Sequence, residues 1–215
     1  MYIIYNKMDE ITNKLNKINI IEKNYIDELL IIINECYNFE NNKNITSHGI
    51  KNNNFENEIE LIIKKFCIKI KKKDTIINNK LCYKHQPNGS QLPPDFTLFY
   101  NTNKINIECK SSKNLKPIWN CSIPNEYTIY LFYTTKLNKT FIFTGNEIID
   151  KNKIKEIKEF NEMIKKISKE FNENILNDEY FQYYPRQMIN QHKNFNIENR
   201  NKYLVNVINK IKNLI

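Results

Sequence analysis

Arginine is almost missing from this chain. Only Arg186 and Arg200 occur, although lysine and arginine together number 33. Where arginine is kept among so many lysines, its planar fork suits bidentate contact with guanine or phosphate. The alternative is an ordinary surface residue or salt-bridge partner, which is the reading taken for Arg200. CxxC spacing is missing as well, and the five cysteines (Cys36, Cys67, Cys82, Cys109 and Cys121) are odd in number. This argues against a disulfide framework and a zinc site, and it fits core thiols in a reducing, cytoplasmic setting. His48, His85 and His192 lack metal-ligand spacing and read as bystanders. No apolar run reaches transmembrane length, so no membrane partner is expected. Met1 to Asn16 carries Asp9 and Glu10 among apolar residues, unlike a signal or transit peptide. No internal repeat and no strong linker are present. Glycine is scarce, and Gly89 and Gly145 are expected to serve turns.

What is abundant is positive charge: the 215 residues carry a formal +9 and a pI near 9.1. A basic chain of this kind suits a polyanion, nucleic acid first. The saturation with Asn, Ile and Lys is also what A/T-rich coding produces, in which case part of the lysine is only solvated surface.

Hydrophobic period divides the chain into helices, then strands, then helices. Ile3 to Tyr37 reads as helical, and Asn38 to Asn54 as a polar break. Phe55 to Ile70 reads as an amphipathic helix with Phe55, Ile59, Ile62, Ile63 and Phe66 on one stripe. Lys69 to Asp74 reads as its solvated, basic end. Ile76 to Tyr83 is a weak strand, and Pro87 to Gln91 a turn. Phe96 to Tyr100 and Ile105 to Lys110 form a hairpin across Asn101 to Lys104. Tyr127 to Tyr133 is a strand buried on both faces, and Thr140 to Thr144 is another. Helical character returns from Glu147 to Asn172 and from Asn199 to Ile215. The expected architecture is α/β, with a mixed central sheet of about four to five strands flanked by helices. One domain is expected, with parts 1–54, 55–172 and 173–215.

The chemistry concentrates in the hairpin. Asp95 lies at the mouth of its first strand. Along the second strand, alternation sends Ile105, Ile107 and Cys109 into the core and Asn106, Glu108 and Lys110 to the opposite face. Two acids can hold a hard divalent cation through oxygen. An amine beside them can orient or deprotonate a water on that ion. Singly, Asp95 could cap a turn, and Glu108 and Lys110 could be exposed strand charges of little consequence.

Pro94-Asp95, the hairpin and Glu108-Cys109-Lys110 resemble the PD-(D/E)XK nuclease superfamily. The helix carrying Phe55-Glu56 before the hairpin and the buried strand after it follow that superfamily's core order, over roughly Phe55 to Phe171. Within it the chain resembles type II restriction endonucleases, through Asn88-Gly89-Ser90-Gln91 ahead of Pro94-Asp95-Phe96 and through Glu108 to Lys113 running on to Pro117-Ile118-Trp119-Asn120. The resemblance implies a restriction-endonuclease-like core in which Asp95, Glu108 and the Cys109 carbonyl ligate Mg²⁺ and Lys110 activates water. It also implies a further helix acid, Glu56 or its competitor Glu60, one turn on. The implied partners are duplex DNA, a second copy of the chain and a cognate DNA methyltransferase. The implied products carry a 5′ phosphate and a 3′ hydroxyl.

Candidate DNA contacts flank this centre. Gln91 is one of them, and the hydroxyls and amines of Ser111, Ser112, Lys113 and Lys116 can meet phosphates, unless they only form a solvated loop. Asn120 can meet a base edge. Trp119, the single tryptophan, either stacks on DNA or anchors its loop in the core. Arg186, Gln187, Asn190 and Gln191 carry the groups that read guanine and adenine, unless they form the polar skin of an aromatic corner. Two rival functions remain: a structure-selective repair or junction-resolving nuclease on the same core, and a non-catalytic DNA-binding module.

Overall fold

The computed structural model describes residues 25–40, 52–71, 73–90, 92–120, 123–178, 181–185, 188–190, 193 and 195–213, with 52–54, 120 and 188–190 described by backbone alone. Helix α1 spans residues 25–37, and α2 spans Asn52–Lys64. Strands β1 (Ile68–Lys69), β2 (Cys82–His85), β3 (Phe96–Tyr100), β4 (Asn103–Ser112), β5 (Ile118–Asn120), β6 (Thr128–Thr134) and β7 (Lys139–Thr144) follow. Helix α3 (Lys151–Phe171), β8 (Met188–Asn190) and α4 (Arg200–Lys212) complete the order. Among the described residues no helix is long and apolar enough to cross a membrane.

The fold is mixed α/β. Its main sheet has six strands in the order β1-β2-β3-β4-β6-β7, and β5 pairs with β8 in a separate ribbon. The pairs β1–β2 and β4–β6 are parallel and the others antiparallel. Every residue of β6 is buried, because its two faces feed two cores. Ile129, Leu131 and Tyr133 join Ile105 and Ile107 of β4 and the apolar sides of α1, α2 and α4. Tyr130 and Phe132 turn the other way, to Trp119, Phe141, Phe143 and Phe195. Cys109 packs against the first core, as alternation along β4 requires.

Four expectations need correction. The helix expected to reach Ile70 stops at Lys64. Cys67 and Ile70 satisfy helical spacing equally well, but the N–H groups of Ile68 and Ile70 donate to the carbonyls of Leu81 and Tyr83, both at 2.9 Å. Tertiary pairing outweighs local propensity here, and it adds a strand to the expected sheet. Lys69 is therefore not a solvated helix end; its amine reaches the buried Glu60 at 2.7 Å. The β5–β8 ribbon was not expected at all. Arg200 is not a free surface residue, and among the described residues it forms no salt bridge. Its Nε donates to the Thr140 carbonyl at 2.7 Å and its Nη2 to the Tyr37 carbonyl at 2.5 Å. The guanidinium lies 3.5 Å from the Tyr37 ring centroid, so it ties α4 to β7 and α1.

Both glycine expectations concern turns, and the reasons differ. Gly89 has a φ of +108°, which favours glycine. At Gly145 a Cβ would lie 2.6 Å from the Asn125 backbone, so the position admits only hydrogen.

Candidate active site

Strand β4 is paired with β3 only as far as Ile107, because β3 begins at Phe96. On its other edge it stays paired with β6 to Ser112. Beyond Ile107, then, the β3 side of β4 is open, and Asp95 closes the gap with its side chain. Asp95 Oδ2 accepts the Cys109 N–H at 2.7 Å, as the carbonyl of a longer strand would. The N–H and C=O of one strand residue point to the same side, so the Cys109 carbonyl faces this gap too. The loop before Asp95 is pinned where Gln86 N–H donates to the Asp95 carbonyl at 2.6 Å.

The remaining groups link in series. The Asp95 N–H donates to Glu108 Oε2 at 3.2 Å. Lys110 Nζ donates to Glu108 Oε1 at 2.7 Å. The acid and amine two residues apart thus share a face, as expected. Glu108 is only 6% exposed, and a pair this buried is weak evidence for stability because desolvation offsets its attraction. The Lys110 amine lies 6.0 Å from the centre of the Trp119 ring. Glu56, on the first turns of α2, completes the rim. It is carried by Phe55, Ile59 and Ile63, each at most 2% exposed. Together Glu56, Asp95, Glu108, Cys109, Lys110 and Ser111 line a cavity of about 200 Å³.

Three carboxylates thus face one ammonium. The Asp95 carboxyl is pushed up to about 7, first by burial and then by the Glu108 and Glu56 charges, against the Cys109 N–H and Lys110. Surplus negative charge of this kind favours a hard cation with oxygen ligands. Asp95, Glu108 and the Cys109 carbonyl are the donors that fit one. Among the described residues no three His, Cys, Asp or Glu side chains already stand in metal-holding geometry, and Glu108 is bonded to Lys110 instead.

Between the two helix acids the geometry separates the roles. Glu56 lines the cavity. Glu60 is held by Lys69 and by the Tyr83 hydroxyl, at 2.7 and 2.9 Å. Burial alone would raise the Glu60 carboxyl, but these two hydrogen bonds, together with the charges of His85 and Lys69, hold it below its usual range.

The expected DNA contacts divide. Ser111 lines the cavity. Ser112 is used on its own loop, donating to the carbonyls of Asn114 and Lys116 at 2.8 and 2.9 Å. Lys113 is exposed and Lys116 half-buried. Trp119 is 1% exposed and meets Tyr130 edge-on at 5.0 Å. Its ring is a loop anchor, and stacking on DNA is not open to it. Asn120 and Asn190 sit in the β5–β8 ribbon, which pairs Ile118 with Asn190 and Asn120 with Met188. Gln91, Arg186, Gln187, Gln191, His48 and His192 lie outside the described residues.

Sequence reasoning missed His85 and Gln86. His85 Nε2 lies 2.6 Å from Glu56 Oε1, and Gln86 Nε2 donates to the same oxygen at 3.1 Å. The antiparallel register sets His85 opposite Phe96, so a strand read through to His85 could have found it.

No family model matches the chain, and neither a curated protein nor a solved structure matches it.

Proposed function

We propose that the chain is a Mg²⁺-dependent endodeoxyribonuclease that cuts duplex DNA, specifically a type II restriction endonuclease of the PD-(D/E)XK kind. One observation carries this reading. Asp95, Glu108 and Lys110, linked by backbone and side-chain hydrogen bonds, meet Glu56 around one cavity where β3 begins.

Asp95, Glu108 and the Cys109 carbonyl would hold the cation. When bound, the cation supplies Lewis acidity at a phosphodiester oxygen and lowers the pKa of a bound water. Asp95 contributes its free Oδ1, since Oδ2 is used by the Cys109 N–H. To hold the cation, Glu108 would turn from Lys110, which would free the lysine's amine. Lys110 then orients the attacking water and offsets charge on the phosphoryl oxygens, held above the Trp119 ring. In-line attack leaves a 5′ phosphate and a 3′ hydroxyl. Ser111 and Lys113 approach the flanking phosphates. The β5–β8 ribbon beside the site carries Asn120 and Asn190, and a two-stranded ribbon fits the major groove. Cutting both strands of a short palindrome matches two copies related by a two-fold axis. A cognate methyltransferase would protect host sites.

The test is digestion of a sequenced plasmid with Mg²⁺, followed by end mapping. Discrete fragments with one end sequence support the reading. Preferential cutting of branched substrates would favour a structure-selective nuclease. Binding without cutting, unchanged in Asp95→Ala and Lys110→Ala, would favour a non-catalytic module.

A further inference from the structure

Glu56 and Glu60 are one helical turn apart and look out from the same face of α2, toward β2. His85 stands between them. Its Nε2 is 2.6 Å from Glu56 Oε1, and its Nδ1 is 3.9 Å from Glu60 Oε1. The ring lies nearly flat on Phe96, 5.0 Å between centroids and 16° between planes. Phe96 is the residue after Asp95 and is fully buried, so the imidazole rests on the strand that sets Asp95. Glu60 is itself held by Lys69 and Tyr83. The assembly is a stack of fixed groups ending on one carboxylate. Both hydrogen bonds to Glu56, from His85 and from Gln86, end on Oε1. That leaves Oε2 as the atom to meet a ligand in the cavity that Glu56 lines.

We infer that His85 is a positioning residue, which fixes Glu56 through Oε1 so that Oε2 is presented to the hydrated cation of the neighbouring site. This rests on the metal-dependent reading above. Without His85, Glu56 keeps only the longer Gln86 bond at 3.1 Å, and the carboxylate swings over several rotamers. Loss of an outer partner such as Glu56 typically lowers metal affinity about 10- to 100-fold, and loss of His85, which acts through Glu56, costs no more than that.

The experiment is Mn²⁺ binding, read by the loss of free-ion electron paramagnetic resonance signal, on wild type, Asp95→Ala, Glu56→Gln, His85→Ala, His85→Gln and the double variant Glu56→Gln/His85→Ala. Thermal melts verify folding. His85→Ala should weaken Mn²⁺ binding by up to about 10-fold, and by no more than Glu56→Gln does. His85→Gln, whose amide nitrogen can take the place of Nε2, should recover most of that. The double variant should bind no more weakly than Glu56→Gln, since both changes break one link. Binding by His85→Ala equal to wild type would overturn the inference, and so would losses that add in the double variant. If His85→Ala does not fold, the inference stands or falls on His85→Gln binding like wild type while Glu56→Gln does not. Wild-type binding by Asp95→Ala would instead overturn the metal-site reading itself, so the two failures are distinguishable.

Discussion

The two halves of β4 make an informative pair. From Asn103 to Ile107 the strand has β3 along one edge, and Ile105 and Ile107 are at most 4% exposed. From Glu108 to Ser112 it has β6 alone, and an aspartate side chain takes the missing neighbour's place. The same alternation runs through both halves. In the first half the paired backbone groups satisfy one another and the inward side chains, Ile105 and Ile107, only pack. In the second, open backbone groups and acidic side chains face a cavity. A strand becomes a candidate site here because its partner begins one residue after an acid.

Mutation should separate the halves sharply. Lys110→Ala should cut Mg²⁺-dependent DNA cleavage by about 10²- to 10⁴-fold, in line with removal of a proton-handling group, and Asp95→Ala, which removes a metal ligand, should cut it at least as far. Lys110→Ala also leaves the buried Glu108 carboxylate unpaired and should lower the melting temperature, so the loss is counted per folded molecule. Initial rates on linear duplex, beside a thermal melt, check both. Ile107→Ala should do the reverse. It should lower unfolding free energy by about 2–5 kcal/mol, read by urea titration, and leave cleavage per folded molecule near wild type.

A smaller effect follows from proton linkage. The folded Asp95 carboxyl, at about 7, sits above its ordinary value of 3.8. Between those values the folded state keeps a proton that the unfolded chain has released. The contribution of Asp95 to stability therefore falls as pH rises through this window. Melts without divalent metal should show the decline in wild type and a flatter profile in Asp95→Asn. An equal slope in both would remove Asp95 as its source.

The smallest expected effect lies on α3. Its residues Phe160, Met163 and Ile167 are apolar, yet they are 50–56% exposed. Ile167→Ala should change stability by no more than about 0.5 kcal/mol. A cost like that of Ile107→Ala in the same urea titration would mean that this face is covered.

Legibility in the sequence followed the range of the interactions. Strand β6 could be read because an unbroken run of apolar and aromatic residues fits burial on both sides. Glu108 and Lys110 could be paired because a strand has a period of two, and their 2.7 Å contact bears this out. Asp95 could be placed at the strand mouth because prolines precede it. Longer-range relations were not readable. His85 and Glu56 are 29 residues apart and meet only through the sheet. Arg200 serves carbonyls of Thr140 and Tyr37, which carry no side-chain signal. Strand β1 is two residues long and exists only because β2 lies beside it. Ribbon β5–β8 joins Ile118 to Asn190, with no local pattern at either end. Trp119 allowed two readings, and only burial could choose between them.

The most direct measurement is an anomalous-scattering map from crystals of the protein soaked in Mn²⁺. The account predicts a peak within bonding distance of Asp95, the Glu108 carboxylate and the Cys109 carbonyl, with Lys110 displaced from Glu108. Saturating Mn²⁺ that leaves the Lys110–Glu108 pair intact and gives no peak beside Asp95 would contradict it.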